Sequence, residues 1–187
     1  MSKFNRFVNK NCKDLLYHGQ GIVMIDKVLE CSEDRVVVNA NFKEDFKYLE
    51  TLNNEIIFPT YKSIEMMAQS LGCYQYILLS IQDEFEHGKN NKEIVESSIS
   101  NKKNIKIGFL LGVRKFEIIK PYVHYNQELF IKTILTIQNE NGFGVYDSFI
   151  YINSFNDNNI IAKATLSVYS PEDNFLDNVR SNKEFKF

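Results

Sequence analysis

The chain has 187 residues, a hydrophobic content of 44% and a formal net charge of −2. These values fit a single domain with a substantial core, and they give no global attraction to nucleic acid or to an anionic membrane. The first apolar run, residues 22–25, is too short for a signal sequence and is followed by Asp26. We therefore expect a soluble, cytoplasmic protein with no membrane insertion.

The cysteines favour a reduced protein without a structural metal. Cys12, Cys31 and Cys73 are odd in number, far apart in the sequence, and include no Cys-x-x-Cys pair. This pattern argues against both a disulfide framework and a zinc site. Across the sequence, the His, Cys, Asp and Glu residues also show no metal-ligand spacing, so we expect no metal.

Two β-like segments come first along the chain, at residues 22–30 and 35–42, with a turn at residues 31–34. The second alternates apolar and polar residues, which is typical of a half-buried strand. A polar stretch then leads to an apolar run that ends at Pro59, a residue tolerated just before the first turn of a helix. The pattern predicts two strands followed by a helix.

Residues 64–79 are apolar on nearly every side, which predicts a buried helix. Glu65 lies near its start, where burial would favour the neutral carboxyl group that a proton donor requires. Gln69 follows one turn later and could orient that carboxyl group, and Gly72 leaves room for a close neighbour. The alternative is an exposed glutamate stabilised by the helix dipole.

Residues 82–106 are polar and predict either a solvated loop or a polar extension of the helix, with an ordered lid as a further alternative. Four β-like segments follow, and the last three predict a meander of hairpins before a short tail from about residue 172. The order predicts a single α+β domain, residues 1–187, in which a curved antiparallel sheet wraps one long central helix.

His18 lies between Tyr17 and Gly19, just before the first predicted strand. From there an imidazole could reach a cleft, and neutral imidazole is the usual general base near neutral pH. The alternative is a loop histidine that only pins the amino-terminal segment. His87 and His124 lie in polar surroundings, so we expect both to be exposed.

Several motifs resemble one enzyme family. The stretch Leu15-Leu16-Tyr17-His18, followed by Ile25-Asp26-Lys27-Val28, is similar to the opening of the hotdog-fold 3-hydroxyacyl-ACP dehydratases, the FabZ/FabA group. Residues 59–65, with Ala68-Gln69, resemble that family's helix start, Pro-Gly-Val-x-x-x-Glu-x-x-Ala-Gln. Residues 108–116 and 142–147 look more specifically like its ApeP-like branch. The resemblance covers residues 15–171, and the order of the motifs makes it specific.

The resemblance implies a hotdog fold and the dehydration of 3-hydroxyacyl thioesters to trans-2-enoyl thioesters, in fatty-acid or aryl-polyene-type lipid biosynthesis. The substrate would be carried by the phosphopantetheine of acyl carrier protein, and no other cofactor is expected. His18 would be the base and Glu65 the acid. The resemblance also implies that the backbone N–H groups of Thr60, Tyr61 and Lys62 hold the thioester carbonyl. It further implies an acyl tunnel lined by Met66, Met67 and Phe109. Relatives join exposed sheet edges, so we expect a homodimer, with association to another hotdog subunit as the alternative.

One departure leaves alternatives open. The typical family base is a histidine in a Gly-His-Phe-Pro loop ahead of the helix, and residues 49–59 contain no histidine. His18 is the only histidine within a matching motif. One alternative is an acyl-thioester hydrolase in which Glu65 activates water. The other is a non-catalytic hotdog partner subunit or an acyl-binding module.

Overall fold

A computed structural model describes residues 2–16, 21–87, 108–139 and 142–170. Its regular elements are β1 (Val28–Cys31), β2 (Arg35–Ala40), β3 (Glu50–Leu52), β4 (Glu55–Pro59), α1 (Ser63–His87), β5 (Phe109–Ile118), β6 (Tyr122–His124), β7 (Leu129–Gln138), β8 (Phe143–Ile152) and β9 (Ile160–Tyr169). A 3₁₀ turn, Thr60–Lys62, connects β4 to α1.

The main sheet has six antiparallel strands in the order β1-β2-β7-β8-β9-β5. Helix α1 packs across one face of this sheet, mainly on β2, β7 and β8. The predicted α+β architecture is therefore confirmed, and the last three strands form the predicted meander. A long apolar helix needs one large apolar surface, and the curved sheet supplies it.

Strand β9 shows why the sheet fits the helix. Ala162, Ala164, Leu166 and Val168 are buried, whereas the residues between them are half-buried. This period of two places one side of the strand against the core and the other side outward. The two alanine side chains are small and leave space on this inner face, so the larger side chains of α1 can approach the sheet.

A chain of buried hydroxyl groups fixes the position of α1 on the sheet. Ser70 of α1 lies 3.1 Å from the Thr133 hydroxyl of β7, which lies 3.0 Å from the Ser148 hydroxyl of β8. All three side chains are fully buried. Each hydroxyl replaces a lost hydrogen bond to water, so sliding the helix along the sheet would leave polar groups unpaired.

The structure corrects the predicted first strand, which was too long. Strand β1 begins at Val28 and includes Cys31, which the sequence had placed in a turn. The start of β1 and the chain just before it also bond to the amino-terminal segment: Cys12 N–H donates to the Asp26 carbonyl at 2.7 Å, and Val28 N–H donates to the Lys10 carbonyl at 3.0 Å. On the other side, Asp26 N–H donates to the Asn39 carbonyl of β2 at 2.7 Å. The apolar pattern was real, but it reflected burial rather than a longer strand.

A second, smaller sheet of order β3-β4-β6 was not predicted. Its hairpin turns at Asn53 and Asn54, whose φ angles are +50° and +64°. Two consecutive left-handed residues are the requirement of a tight hairpin turn, and asparagine is one of the few residues that accept it. The Asn-Asn pair was therefore an available signal for this hairpin.

Helix α1 extends to His87, so the first residues of the predicted polar segment, 82–87, are helical. Arg6 from the amino-terminal arm forms an ion pair with Glu84 in this extension, and Phe4 and Phe7 of the same arm are buried. The remainder of that segment and the predicted tail lie outside the described residues. Among the described residues, no helix combines the length and the hydropathy needed to cross a bilayer.

The three cysteines are free and buried. Cys73 Sγ lies 3.9 Å from the Cys12 carbonyl oxygen, and burial, together with interactions with Cys12 and Cys31, raises the pKa of Cys73. Burial also raises the pKa of Cys31 to about 12. These cysteines, far apart in sequence, lie in one core, and the part of the chain that the structure describes contains no group of metal-binding side chains.

The hydroxyl chain gives a testable prediction for stability. Thr133→Val keeps the side-chain shape but leaves the Ser70 and Ser148 hydroxyls without their shared partner, so unfolding free energy should fall by about 1–3 kcal/mol. Urea denaturation would measure it. Thr136→Val, on the same strand but exposed, is the matched control and should change stability far less. Equal effects of the two changes would contradict a special role for the buried chain.

Candidate active site

Glu65 and Gln69 form the centre of the candidate site. Glu65 lies half-buried in the first turn of α1, and Gln69 lies one turn later and is fully buried. Gln69 Nε2 donates to Glu65 Oε1 at 2.8 Å. This is the contact that the predicted orienting role requires, although the role itself stays a prediction. The bond uses one carboxyl oxygen and leaves Oε2 for a proton or a ligand.

The same amide holds the chain that precedes β1. Gln69 Nε2 also donates to the Ile22 carbonyl at 3.1 Å, and Gln69 Oε1 accepts from Met24 N–H at 2.8 Å. One buried side chain therefore connects Glu65 to residues 22–24. Because a buried amide is costly to leave unpaired, these bonds fix the local backbone against the helix.

Gly72 continues the same side of the helix. A Cβ atom added there would lie 2.9 Å from Leu16 Cδ2, so the glycine accommodates the close packing of Leu16. On the two sides of residues 17–20, which lie outside the described residues, Leu16 lies at Gly72 and Ile22 lies at Gln69. His18 itself lies outside the described residues, and its role as base stays a prediction.

His124 is the one histidine whose side chain the structure describes. It is exposed on β6, as predicted, and its Nδ1 lies 3.7 Å from Glu55 Oε2. The side chain of His87 lies outside the described residues. Within the described part, the candidate site thus contains a carboxyl group and an amide but no imidazole.

The turn before α1 was predicted to offer backbone N–H groups to a carbonyl. The Thr60 N–H already donates to the Pro121 carbonyl at 2.9 Å. The backbone N–H groups of Tyr61 and Lys62 therefore remain as the predicted donors to the carbonyl. The hydroxyls of Thr60 and Ser63 are fully buried, and neither has a hydrogen-bond partner among the described residues.

A polar cluster at this turn was missed by the sequence analysis. The Tyr61 phenol donates to Glu50 Oε1 at 2.9 Å, and Lys62 Nζ lies 2.7 Å from the same oxygen. Lys62 also donates to the Tyr48 carbonyl at 2.9 Å. The bonds from Lys62 and Tyr61 lower the pKa of Glu50, and the bond to Glu50 raises the pKa of Tyr61. The partners come from β3 and the turn, so only the unpredicted hairpin brings them together.

The predicted tunnel residues lie in two different places. Met66 and Met67 are fully buried in the core, whereas Phe109 begins the edge strand β5 and is 38% exposed. Phe109 pairs with Tyr169, on the outward side of β9, so it lies on the face of the sheet opposite α1. The three residues therefore do not form one tunnel wall within a single chain.

Comparisons with known proteins agree with this fold. A family model described as ApeP-like, ApeP dehydratase, matches residues 10–85 and 96–179. The dehydratase heterocomplex ApeI:P from Xenorhabdus doucetiae contains a chain that is 20% identical, with a TM-score of 0.66, and the match covers 92% of this chain and 98% of that chain.

A variant of an HP0420 homologue from Helicobacter felis is 8% identical, with a TM-score of 0.56. That match covers 95% of this chain and 98% of the Helicobacter chain. At these identities the solved structures establish the fold alone. No curated protein matches the sequence.

The Gln69 amide gives a prediction for local order. Gln69→Leu keeps an apolar body but leaves Met24 N–H and the Ile22 carbonyl unpaired, so we expect a loss of about 1–3 kcal/mol and faster exchange of the Met24 amide proton. Hydrogen exchange measured by NMR would resolve that proton. The control is Ser80→Ala, which removes only a bond to the Tyr76 carbonyl within α1. Unchanged Met24 exchange would show that the amide does not hold this segment.

Proposed function

The chain belongs to the ApeP-like dehydratase family, and from this we propose that it converts 3-hydroxyacyl thioesters on acyl carrier protein to trans-2-enoyl thioesters. The observation that carries the proposal is the Glu65 carboxyl group, which Gln69 holds by a 2.8 Å hydrogen bond at the start of the buried helix. A carboxyl group held in one orientation can deliver a proton to a fixed point on a substrate.

Glu65 is the proposed acid. Dehydration breaks the bond between C3 and its hydroxyl oxygen, and a proton delivered to that oxygen lets it leave as water. With Oε1 held by Gln69, Oε2 is the atom that donates this proton. After the step Glu65 is a carboxylate, which the positive end of α1 stabilises.

His18 is the proposed base, and it would remove the proton on C2 next to the thioester carbonyl. It lies four residues before Ile22, so an extended chain limits its Cα atom to about 14 Å from that of Ile22. The Ile22 carbonyl accepts from the same Gln69 amide that holds Glu65. This short tether supports an arrangement in which acid and base approach one substrate.

The turn before α1 is the proposed carbonyl site. Charge builds on the thioester oxygen when C2 loses its proton, and backbone N–H groups at a helix start can stabilise it. Tyr61 and Lys62 are the candidates, because the Thr60 N–H is already bonded. The hydroxyls of Thr60 and Ser63 in the same stretch have no hydrogen-bond partner within the described part of the chain, which supports a ligand-binding role for this turn.

The chemistry above requires only an acid, a base and a polarised carbonyl, so we propose that the phosphopantetheine of acyl carrier protein is the sole prosthetic group involved. The same proposal includes an acyl tunnel with walls from Met66 and Met67. It also includes a cytoplasmic location and a role in aryl-polyene-type or fatty-acid biosynthesis. They rest on the family membership and not on a contact in this structure.

We further propose that the chain joins another hotdog subunit through β5. Leu110, Val113 and Ile118 pair with buried residues of β9, so they face the concave side of the sheet, yet they are 44%, 37% and 41% exposed. Among the described residues β5 is the last strand of the sheet. Apolar side chains on an edge strand favour association with a second subunit.

The charge pattern of β5 favours a different subunit over a second copy. Arg114 and Lys115 are exposed near the middle of the strand. A two-fold pairing of β5 with itself that is centred on these residues would bring the cations of both copies together, which destabilises a strand pair. The similar Xenorhabdus doucetiae protein is itself described as a dehydratase heterocomplex. The homodimer predicted from sequence is the competing outcome.

A second candidate function is a partner subunit that supports catalysis elsewhere. It is favoured by one observation, namely that residues 49–59, which include β3, β4 and their turn, contain no histidine. In that case activity would appear only with an added subunit that supplies the base. Product analysis also covers the hydrolase alternative, since free acid with released thiol indicates a thioesterase and an enoyl thioester indicates a dehydratase.

The proposed acid and base can be tested by substitution. Glu65→Gln and His18→Ala should each lower conversion of a 3-hydroxyacyl thioester by about 10²- to 10⁴-fold while the melting temperature changes little. Mass spectrometry of the acyl product would measure conversion, with and without a hotdog partner. Glu55→Gln, an exposed carboxyl change on β4, is the control and should retain full activity. Full activity of His18→Ala would remove His18 from the mechanism.

The proposed interface predicts the effect of a charge among the exposed apolar residues of β5, Leu110, Val113 and Ile118. Val113→Asp should shift the protein towards monomer, because it places a carboxylate where the partner must bury apolar surface. Multi-angle light scattering at micromolar concentration would report the mass. Ile137→Asp, at an exposed apolar position on β7, controls for general effects of a surface charge. Unchanged association of the Val113 variant with every partner would contradict the use of β5.

A further inference from the structure

The cluster of Tyr61, Glu50 and Lys62 has features that a simple surface ion pair does not need. Tyr61 is 55% exposed, yet its phenol is held by Glu50 at 2.9 Å. Lys62 fixes the same Glu50 oxygen at 2.7 Å and is itself held by the Tyr48 carbonyl. An exposed tyrosine ordinarily rotates freely, whereas this one has a defined orientation and a defined hydrogen-bond polarity.

The cluster is also close to Glu65 along the chain, because Tyr61 precedes it by four residues and Lys62 by three. Glu65 and Gln69 are four residues apart and lie on one side of α1. Tyr61 lies four residues before Glu65 in the 3₁₀ turn that leads into the helix, so we infer that it lies near the same side. Side chains on a helix tilt towards its amino end. The Gln69 amide follows this rule because it reaches back to Glu65 at 2.8 Å. By the same rule we infer that the Glu65 carboxyl group extends towards the turn that carries Tyr61.

The polarity of the bonds decides what Tyr61 can do. Its single phenolic hydrogen is donated to Glu50, and the Lys62 side chain also hydrogen-bonds to the phenolic oxygen. A phenolic oxygen accepts through two lone pairs, so one lone pair remains for a ligand. A group that meets this oxygen must therefore be a donor. Glu50 stays ionised beside Lys62 and Tyr61, which lower its pKa, and Tyr61 stays neutral because the bond to Glu50 raises its pKa.

We propose that Tyr61 is a substrate-contacting residue whose phenolic oxygen accepts a hydrogen bond from the 3-hydroxyl group of the acyl chain. This assignment rests on the proposed dehydration. The substrate oxygen accepts from the protonated Glu65 while its own hydrogen is donated to Tyr61, whose hydrogen is donated to Glu50. Each hydrogen bond in this series joins one donor to one acceptor, so no two donors face each other.

The chain of bonds fixes the leaving group without transferring a proton from Tyr61. When the bond between C3 and oxygen breaks, the oxygen takes the proton of Glu65 and leaves as water, and the base retains the proton from C2. Tyr61 ends the step neutral, as it began. Its contribution is recognition of the hydroxyl, so it should distinguish hydroxylated acyl chains from chains without that group.

The test compares two ligands on one set of variants. The substrate is a 3-hydroxyhexanoyl-pantetheine thioester, and the competitor is hexanoyl-pantetheine, which lacks the hydroxyl. Tyr61→Phe should lower kcat/KM for the substrate by about 3- to 10-fold, the loss expected for one hydrogen bond, and leave the inhibition constant of the competitor unchanged. Tyr122→Phe, at a similarly exposed tyrosine on β6, should change neither value.

Glu50 provides a second, independent variant. Glu50→Ala leaves the phenol unheld and should reproduce the loss seen in Tyr61→Phe, whereas Glu50→Gln keeps an acceptor for the phenol and should restore most of kcat/KM. A Tyr61→Phe variant with wild-type kcat/KM would overturn the assignment alone. Equal losses for substrate and competitor would also overturn it, since they would indicate local disorder. A wild-type chain that converts no substrate, even with a hotdog partner, would overturn the proposed function and this assignment together.

Discussion

The buried amide of Gln69 is the interaction on which the candidate site depends. Its three bonds join the Glu65 carboxyl group, the Ile22 carbonyl and the Met24 N–H, which come from segments more than 40 residues apart. An apolar residue at this place would leave two backbone groups and one carboxyl group without partners in a half-buried site. The amide thus links the integrity of the fold and the geometry of the proposed acid.

The rest of the fold holds this amide in place. The hydroxyl chain from Ser70 through Thr133 to Ser148 begins at the residue after Gln69 and fixes that turn of α1 to the sheet. On the other side of the helix, Leu16 fills the space that Gly72 leaves open. The same two turns of α1 therefore bind the sheet on one side and the amino-terminal chain on the other. This rigidity is what an acid that must point at one atom requires.

The sequence predicted the parts of the fold that burial determines. The apolar pattern of residues 64–79 and the alternation along β9 each carry a strong period, and both elements were found. The sequence failed where pairing partners decide the outcome. Residues 22–25 are apolar enough for a strand, but the Ile22 carbonyl and the Met24 N–H bond to Gln69, and only Asp26 and Lys27 pair with Asn39 of β2. Buried backbone can be satisfied in either way, and a local pattern does not distinguish them.

The site was predictable to a similar extent. Glu65 and Gln69 were visible because their four-residue spacing on an apolar helix is informative, and the structure places them 2.8 Å apart. The Tyr61–Glu50 contact was not visible, because it depends on the hairpin formed by β3 and β4. That hairpin carries only weak strand signals, although its Asn53-Asn54 turn has the positive φ angles that asparagine accepts. Contacts between separate elements require the topology, which no single motif contains.

The place of α1 in the chain order has a consequence for synthesis. The helix ends at His87, but the central strands that cover its apolar face, β7 and β8, come later and the sheet is completed only at Tyr169. On a ribosome adding roughly 5–20 residues per second, about 80 residues separate these points, so the apolar helix waits about 4–16 s for its cover. During that interval the nascent chain exposes its Met, Leu and Ile side chains. We expect the protein to depend on chaperones that bind emerging apolar segments more than a chain of this size with local contacts would.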